Sequence, residues 1–180
     1  MADFVLGRPT TLATEGMIAT PHYLATLAGL RVLQDGGNAV DAAIAANAVL
    51  AVVYPHMCGI GGDAFFLIWE PREQQLLALN GSGRAPQSLS AETLRSRGFR
   101  LVPPKGPWGV TVPGAVDAWV TVLERCGTWP LDELLRPAIG YAERGFPVSR
   151  QLAAAIAQEE QVFRGQPAAV AQFLPEGRPP

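Results

Sequence analysis

The sequence predicts an α+β fold in which helices and strands occupy separate layers, and it indicates that this chain holds only part of that fold. Apolar patterns occur in the order strand, two helices, hairpin and several helices, which differs from the strict alternation of a doubly wound sheet. The segment AFFLIW is apolar without alternation, as is typical of a strand covered on both faces. Because two or three strands make only a narrow sheet, we expect residues beyond 180 or another chain to complete it.

Length and composition are those of one domain with a substantial core. The chain has 180 residues, of which 48% are hydrophobic and 17% charged, and this apolar content excludes a disordered class. A net charge of −2 gives no basic field for nucleic acid or for an anionic membrane. The longest apolar run, residues 39–54, is interrupted by Asp41 and Asn47 and is too short to span a bilayer. We therefore expect neither a nucleic-acid partner nor a membrane span.

Cysteine and histidine are too few for a disulfide framework or a metal centre. There are two of each, and His56 and Cys58 have no second pair of ligands elsewhere. Cys58 is either a buried structural residue, which we favour, or a nucleophile that needs a histidine brought to it by folding. The N-terminus lacks the charged-then-apolar pattern of a signal peptide, which predicts a cytoplasmic protein, or a periplasmic or secreted one if a leader has been removed.

The chain is predicted to begin with an irregular arm, a strand and a helix. The arm covers residues 1–15, and residues 16–20 form a short apolar run with the character of a buried strand. Pro21 suits the first turn of the helix that follows. The pair Gly36-Gly37 is expected to end that helix.

The central element is a helix over residues 39–53, around which the rest of the chain is organised. Asn38 is its predicted N-cap, and Asp41 lies in the first turn, where a negative charge suits the helix dipole. Apolar residues occur on nearly every side of this helix, so we expect it to be buried on most faces.

A hairpin and several helices are predicted for the rest of the chain. Residues 63–70 and 74–79 form the hairpin, and a loop of turn formers follows it. A short helix over residues 90–97 has Ser90 as its N-cap. Three longer helices are expected over residues 115–125, 131–144 and 149–163. Pro137 predicts a kink or a break in the second of them. The first of the three should bury one face, made of Val116, Trp119, Val120 and Leu123. Residues 165–180 are predicted to be a loop or a truncated tail.

The glycine-rich segment at residues 59–63 precedes a strand. A phosphate-binding loop needs its glycines after a strand and before a helix, so the order here disfavours that function and favours a tight turn with close backbone packing. Asp63, at its end, is either a ligand contact or a cap, and we favour the cap.

Arg84 is a candidate binding residue in the loop after the hairpin. A guanidinium in a glycine-rich loop can hold a carboxylate through two hydrogen bonds, although a solvated loop arginine is an equal alternative. The neighbouring Gly81-Ser82-Gly83 does not match a nucleophile elbow, because the glycines of that motif stand two residues from the serine.

Several motifs resemble the start of the γ-glutamyltransferase (γ-glutamyltranspeptidase) family. The most specific is G-G-N-A-V-D-A-A, and it is followed by G-I-G-G-D-A-F-F, R-A-P and V-T-V-P-G-A-V-D-A-W. The resemblance covers roughly residues 16–158, so residues 16–164 are predicted to be the N-terminal part of a γ-glutamyltransferase-like large subunit.

This resemblance implies an N-terminal nucleophile hydrolase with an α-β-β-α sandwich, incomplete in this chain. Members are made as precursors that cleave themselves, and a threonine at the new N-terminus of the small subunit attacks a γ-glutamyl amide such as that of glutathione. The glutamyl group then passes to water or to an amino acid. The implied partners are a γ-glutamyl substrate and the small subunit or downstream part of the same precursor. No metal or organic cofactor is implied.

The sequence offers no candidate for that threonine, because Thr111 and Thr128 fall in large-subunit motifs. We therefore expect no catalytic residue in this chain and no activity from it alone. The loop N-G-S-G-R-A-P also departs from a family pattern like D-x-R-x-x-A-P, in which the arginine grips the glutamate α-carboxylate. Ser82 occupies that arginine position and Arg84 lies two residues later, so the resemblance makes both candidate substrate-binding residues.

Two alternatives stay open. A different substrate in the same site would make the protein a γ-glutamyl hydrolase or acylase of the same family. A non-catalytic binding or interaction module would keep only the start of the fold. The gene sequence downstream distinguishes the enzyme from the module, since a threonine-led small subunit favours the first and a stop codon favours the second.

Overall fold

The computed structural model describes residues 10–104 and 106–180. Within them the chain forms helices around one hairpin, in the order α1 (Tyr23–Gln34), α2 (Ala39–Val53), β1 (Ala64–Glu70), β2 (Gln75–Gly81), α3 (Ala91–Ser96), α4 (Ala115–Cys126), α5 (Leu131–Arg144), α6 (Arg150–Gln158), α7 (Glu160–Arg164) and α8 (Pro167–Phe173). Single 3₁₀ turns occur at Pro107–Gly109 and Pro175–Gly177. None of the helices in this part of the chain combines the length and hydropathy needed to cross a membrane.

Helix α2 is the centre of the core, as the sequence predicts. The Asn38 side chain accepts hydrogen bonds from the N–H groups of Val40 and Asp41 at 2.8 and 3.1 Å, which starts the helix at the predicted residue. Helices α1, α4 and α5 pack around it. On α1, Gly29 lies so close to α2 that an added Cβ would approach the Ala42 carbonyl oxygen to 2.8 Å. Small residues therefore let the two helices pack closely.

Two expectations before α2 are wrong. Residues 16–20 form no strand, because a strand needs a hydrogen-bonded neighbour and β1 and β2 pair only with each other in the described part of the chain. Pro21 precedes α1 instead of lying in its first turn. The N-cap is His22, whose Nδ1 accepts from the Leu24 N–H at 3.3 Å. The predicted arm lies partly outside the described residues, and its remainder, residues 10–15, contains no helix or strand.

The hairpin is antiparallel, with Ala64 opposite Gly81 and Glu70 opposite Gln75. Alternate side chains point to opposite faces, and only one face packs on the core, through residues such as Phe66 and Leu79. On the other face lie Phe65, Leu67 and Trp69, which are 66%, 76% and 56% exposed. Within the described residues one layer of helices covers one side of the hairpin, and the second cover that the sequence predicts, from residues beyond 180 or another chain, is not among them. The apolar outer face agrees with an incomplete sandwich.

Helix α4 is rotated relative to the predicted face. Ala115, Ala118, Trp119 and Val122 are its buried residues, whereas Val116 and Val120 are exposed. The Trp119 Nε1–H donates to Asn47 Oδ1 on α2 at 3.0 Å, and the small side chain of Ala118 lies against Gly81 of the hairpin. The predicted face is therefore right for Trp119 and Leu123 and wrong for Val116 and Val120, in whose place the small residues Ala115 and Ala118 are buried.

Helix α5 runs uninterrupted from Leu131 to Arg144, so the predicted break at Pro137 does not occur. Proline removes one N–H and costs stability inside a helix. Leu134 and Ala138, on either side of it, are buried in the same core as α2. This packing outweighs the loss of one hydrogen bond. The helix ends at Gly145, as predicted, where φ is 80°.

The C-terminal region differs from its prediction in two ways. The expected helix at residues 149–163 is divided into α6 and α7 at Glu159, and the expected loop at residues 165–180 contains α8. A small second core explains α8, because Phe163 and Phe173 stack with ring centroids 5.1 Å apart beside buried Leu152, Ile156 and Leu174. The Gly, Pro and Gln content of the tail conceals this apolar pattern.

Candidate functional site

Three loops meet at the open end of the hairpin. Because β1 and β2 are antiparallel and Ala64 pairs with Gly81, the loop that enters β1 and the loop that leaves β2 lie at the same end of the sheet. The first loop is residues 59–63 and the second is residues 82–86. The third, residues 110–114, leads into α4. We call this meeting point the three-loop junction.

Hydrogen bonds hold the three loops together. The Asp63 Oδ1 accepts from the Gly83 N–H at 2.8 Å and from the Thr111 hydroxyl at 3.4 Å. The Gly62 carbonyl accepts from the N–H groups of Gly114 and Ala115 at 3.0 and 2.9 Å. Asp63 is therefore a cap on the neighbouring loop, as favoured from the sequence.

Glycine is required at the junction by close approach of the backbones. A Cβ on Gly83 would overlap the Val112 carbonyl oxygen, and a Cβ on Gly114 would overlap the carbonyl oxygen of Gly81. By contrast, a Cβ on Gly59 or Gly61 would meet nothing within 4 Å. Gly83 and Gly114 thus serve loop packing, whereas the close backbone packing expected at residues 59–63 is wrong for Gly59 and Gly61. The phosphate-cradle interpretation gains no support, because those glycines precede a strand.

The junction brings the two candidate binding residues to its surface. The Ser82 N–H donates to Asn80 Oδ1 at 2.9 Å, and its side chain is exposed. The Arg84 carbonyl accepts from the Val112 N–H at 2.9 Å, so the backbone is held while the side chain is exposed. In residues 10–104 and 106–180, the Arg84 guanidinium has no hydrogen-bond or ion-pair partner. Its donors are available for the bidentate carboxylate contact that arginine geometry favours.

Asp41 has a structural role that the sequence reveals only in part. This fully buried carboxylate accepts from the Asn38 N–H at 2.8 Å, from the Thr128 N–H at 2.9 Å and from the Trp129 N–H at 3.2 Å. The Thr128 hydroxyl donates to it as well, at 2.5 Å. Burial raises the pKa of Asp41, but these hydrogen bonds outweigh burial and leave its pKa below the ordinary value. The capping pattern is visible in the sequence, whereas the partner at residue 128 is not.

Among the described residues, no hydroxyl or thiol is hydrogen-bonded to a histidine ring. The Thr128 hydroxyl is engaged by Asp41 and the Thr111 hydroxyl by Asp63. Burial raises the pKa of the Cys58 thiol, which disfavours the reactive thiolate. Both His56 ring nitrogens are buried without a hydrogen-bond partner among residues 10–104 and 106–180, and the centroid of the His56 ring lies 4.2 Å from that of Tyr54.

The described residues also offer no metal centre. Between residues 10 and 180, with residue 105 set aside, no three His, Cys, Asp or Glu side chains cluster in a way that could hold a metal ion. His22, the second histidine, uses Nδ1 to cap α1, and burial lowers its pKa. Both histidines therefore serve the local packing of the chain.

Comparison with known proteins identifies relatives that share this region. The gamma-glutamyltranspeptidase family model matches residues 25–180. The glutathione hydrolase-like YwrD proenzyme of Bacillus subtilis is 45% identical over 141 residues, which are 78% of this chain and 26% of that protein. The chain spans about a quarter to a third of the length of the curated relatives it matches.

Two solved structures share the fold of this chain. Gamma-glutamyltranspeptidase of Helicobacter pylori superimposes with a TM-score of 0.85 at 30% identity, over 92% of this chain and 48% of that one. Cephalosporin acylase of Bacillus halodurans superimposes with a TM-score of 0.79 at 44% identity, over 87% of this chain and 30% of that one.

Proposed function

This chain belongs to the γ-glutamyltranspeptidase family, and we propose that it is the N-terminal part of the large subunit of a self-processing γ-glutamyltransferase or γ-glutamyl hydrolase. The complete enzyme cleaves γ-glutamyl amides such as glutathione and passes the glutamyl group to water or to an amino acid. This chain contributes substrate recognition and one side of the sandwich. The nucleophile comes from the downstream small subunit.

The observation that carries this proposal is the exposed Arg84 guanidinium, which has no partner among the described residues and stands on a fixed backbone. Its carbonyl is bonded to Val112, and the preceding residue, Gly83, is bonded to Asp63. Because this backbone is already fixed, only the side chain of Arg84 loses conformational freedom when it binds a carboxylate, which favours binding. The γ-glutamyl group carries such a carboxylate at its α-carbon. Ser82, exposed beside it, supplies a hydroxyl that can donate to the same group.

The exposed face of the hairpin supports the proposed partner. Phe65, Leu67 and Trp69 form an apolar patch on a sheet, and such a patch is buried when a second layer packs on it. In an α-β-β-α sandwich that layer is a second sheet. We assign it to the downstream part of the precursor.

A second candidate function is hydrolysis of another acyl amide by the same site. Ser82 stands where the family pattern has its carboxylate-binding arginine, and Arg84 is shifted by two residues. The shifted arginine would suit an acyl donor whose carboxylate lies at a different distance from the scissile amide. It would also suit an acyl donor without a carboxylate. The 44% identity to the cephalosporin acylase of Bacillus halodurans supports this alternative.

An assay of the complete protein tests the proposal. The purified, processed protein is expected to hydrolyse a γ-glutamyl anilide and to react faster when an acceptor amino acid or dipeptide is added. The chain of 180 residues alone is expected to show no turnover above background. Turnover of a simple acyl anilide in preference to the γ-glutamyl one would favour the acylase. A folded complete protein that turns over neither would favour a non-catalytic module.

A further inference from the structure

Asp63 lies at the exposed end of the hairpin, yet its Oδ1 contacts two other loops. The bond from the Gly83 N–H, at 2.8 Å, is the shorter of the two, and the contact from the Thr111 hydroxyl is 3.4 Å long. The Gly83 N–H lies between the two candidate binding residues along the chain. A group that fixes this N–H therefore also fixes the directions in which Ser82 and Arg84 leave the backbone.

The backbone that carries Asp63 is itself firmly held. The next residue, Ala64, opens β1 and pairs with Gly81. The carbonyl of the preceding residue, Gly62, accepts from the N–H groups of Gly114 and Ala115 at the start of α4. Asp63 thus extends from a junction of sheet and helix and can impose its geometry on a loop.

Two hydrogen bonds tie the segment around Gly83 to other loops, in addition to the local bond from the Ser82 N–H to Asn80 Oδ1. One is donated by the Gly83 N–H to Asp63, and the other is accepted by the Arg84 carbonyl from Val112 at 2.9 Å. Loss of the first leaves the bond to Val112 as the link between this segment and another loop. The loop can then rotate about the remaining bond, which moves the guanidinium at the end of a long side chain. Small backbone changes of this kind are costly where a ligand must be held in one geometry.

We propose that Asp63 is a positioning residue for the substrate-binding arginine. It orders Ser82, Gly83 and Arg84, and so sets the point at which Arg84 meets the carboxylate of the acyl donor. This inference rests on the proposed function. Asp63 acts as a hydrogen-bond acceptor, so an asparagine, which keeps Oδ1, retains the function and an alanine does not.

Steady-state kinetics of the complete protein test the role in binding. D63A is expected to raise KM for a γ-glutamyl anilide about tenfold with kcat changed less than about threefold, because a hydrogen bond that orients the substrate contact is lost. D63N is expected to keep KM within about threefold of the wild type, since its acceptor remains. The matched control is E143A, which removes an exposed carboxylate from α5.

A double variant shows whether Asp63 acts through Arg84. Residues that act through one another give non-additive effects, so D63A is expected to change KM less than about twofold in an R84A background. An equal increase of KM in both backgrounds would overturn the proposal. So would an unchanged KM in D63A, or an increase of KM in D63N as large as that in D63A.

Hydrogen exchange separates this inference from the proposed function. Peptides that cover residues 81–86 are expected to exchange faster in D63A than in the wild type or in D63N, whatever the substrate is. If the complete protein turns over no γ-glutamyl compound, the proposed function fails while the exchange still reports the order of the loop. Unchanged exchange in D63A would overturn the role of Asp63 alone.

Discussion

The Asp41 carboxylate accepts a hydrogen bond from the hydroxyl of Thr128, a residue 87 positions away. This bond connects the start of α2 to the turn between α4 and α5. The same carboxylate accepts three backbone N–H groups. Asn38 adds to the link, since its Nδ2 donates to the Cys126 carbonyl at 2.6 Å. A buried group with this many partners is costly to remove, because each partner is left without its hydrogen bond.

Replacement of Asp41 should strongly destabilise the protein. We expect D41A to lower the free energy of unfolding by about 3 kcal/mol, since a buried hydrogen-bond network is broken and its donors are left unpaired. Urea denaturation measures the change. The exposed Asp35 provides the control, and D35N should change stability by less than about 0.5 kcal/mol. Equal stabilities of D41A and D35N would contradict the structural role of Asp41.

The stability contribution of Asp41 should depend on pH in the acid range. Its pKa is lower in the folded protein than in the unfolded chain, so the folded state binds fewer protons and stability falls as pH decreases. The contribution is fully present above the unfolded value of about 3.9 and is lost as pH falls through the folded-state pKa. The difference in stability between wild type and D41N should therefore shrink between pH 6 and pH 3. A constant difference across this range would exclude the predicted linkage.

Arg84 should determine the affinity of the complete enzyme for its donor. We expect R84A to raise KM for a γ-glutamyl anilide by about 10- to 100-fold, the range of a lost charge-assisted hydrogen-bond pair, with R84K intermediate. Arg72, an exposed arginine in the turn at the opposite end of the hairpin, is the matched control, and R72A should leave KM unchanged. If KM in R84A equals that of the wild type, Arg84 is not part of the binding site.

Two glycines of the same region should respond differently to alanine. In G83A the new Cβ overlaps the Val112 carbonyl oxygen, so the loops must move apart. We expect this to lower the free energy of unfolding by about 1–3 kcal/mol. In G59A the Cβ meets nothing within 4 Å, so stability should be almost unchanged. Thermal unfolding of the two variants provides the comparison. A G83A variant as stable as G59A would show that the junction is looser than the structure indicates.

Local sequence patterns were sufficient where neighbouring residues decide the structure. The bounds of α2, its Asn38 cap, the Ser90 cap of α3 and the antiparallel hairpin all follow from short-range chemistry. Two of the wrong predictions have long-range causes. Packing on α2 keeps α5 continuous through Pro137, and contacts with Asn47 and Gly81 set the rotation of α4. The sequence carries no local signal for either effect.

The sequence by itself determined the family, the incompleteness of the sandwich and the two candidate residues, Ser82 and Arg84. Motif spacing and apolar patterns are properties of neighbouring residues, and the chain displays them directly. Only the tertiary structure decided that Asp63 contacts Gly83 and that Thr128 contacts Asp41, pairs that are 20 and 87 positions apart. The physical reason is that a hydrogen bond depends on distances and angles in space, which are settled only when the helices and the hairpin pack together.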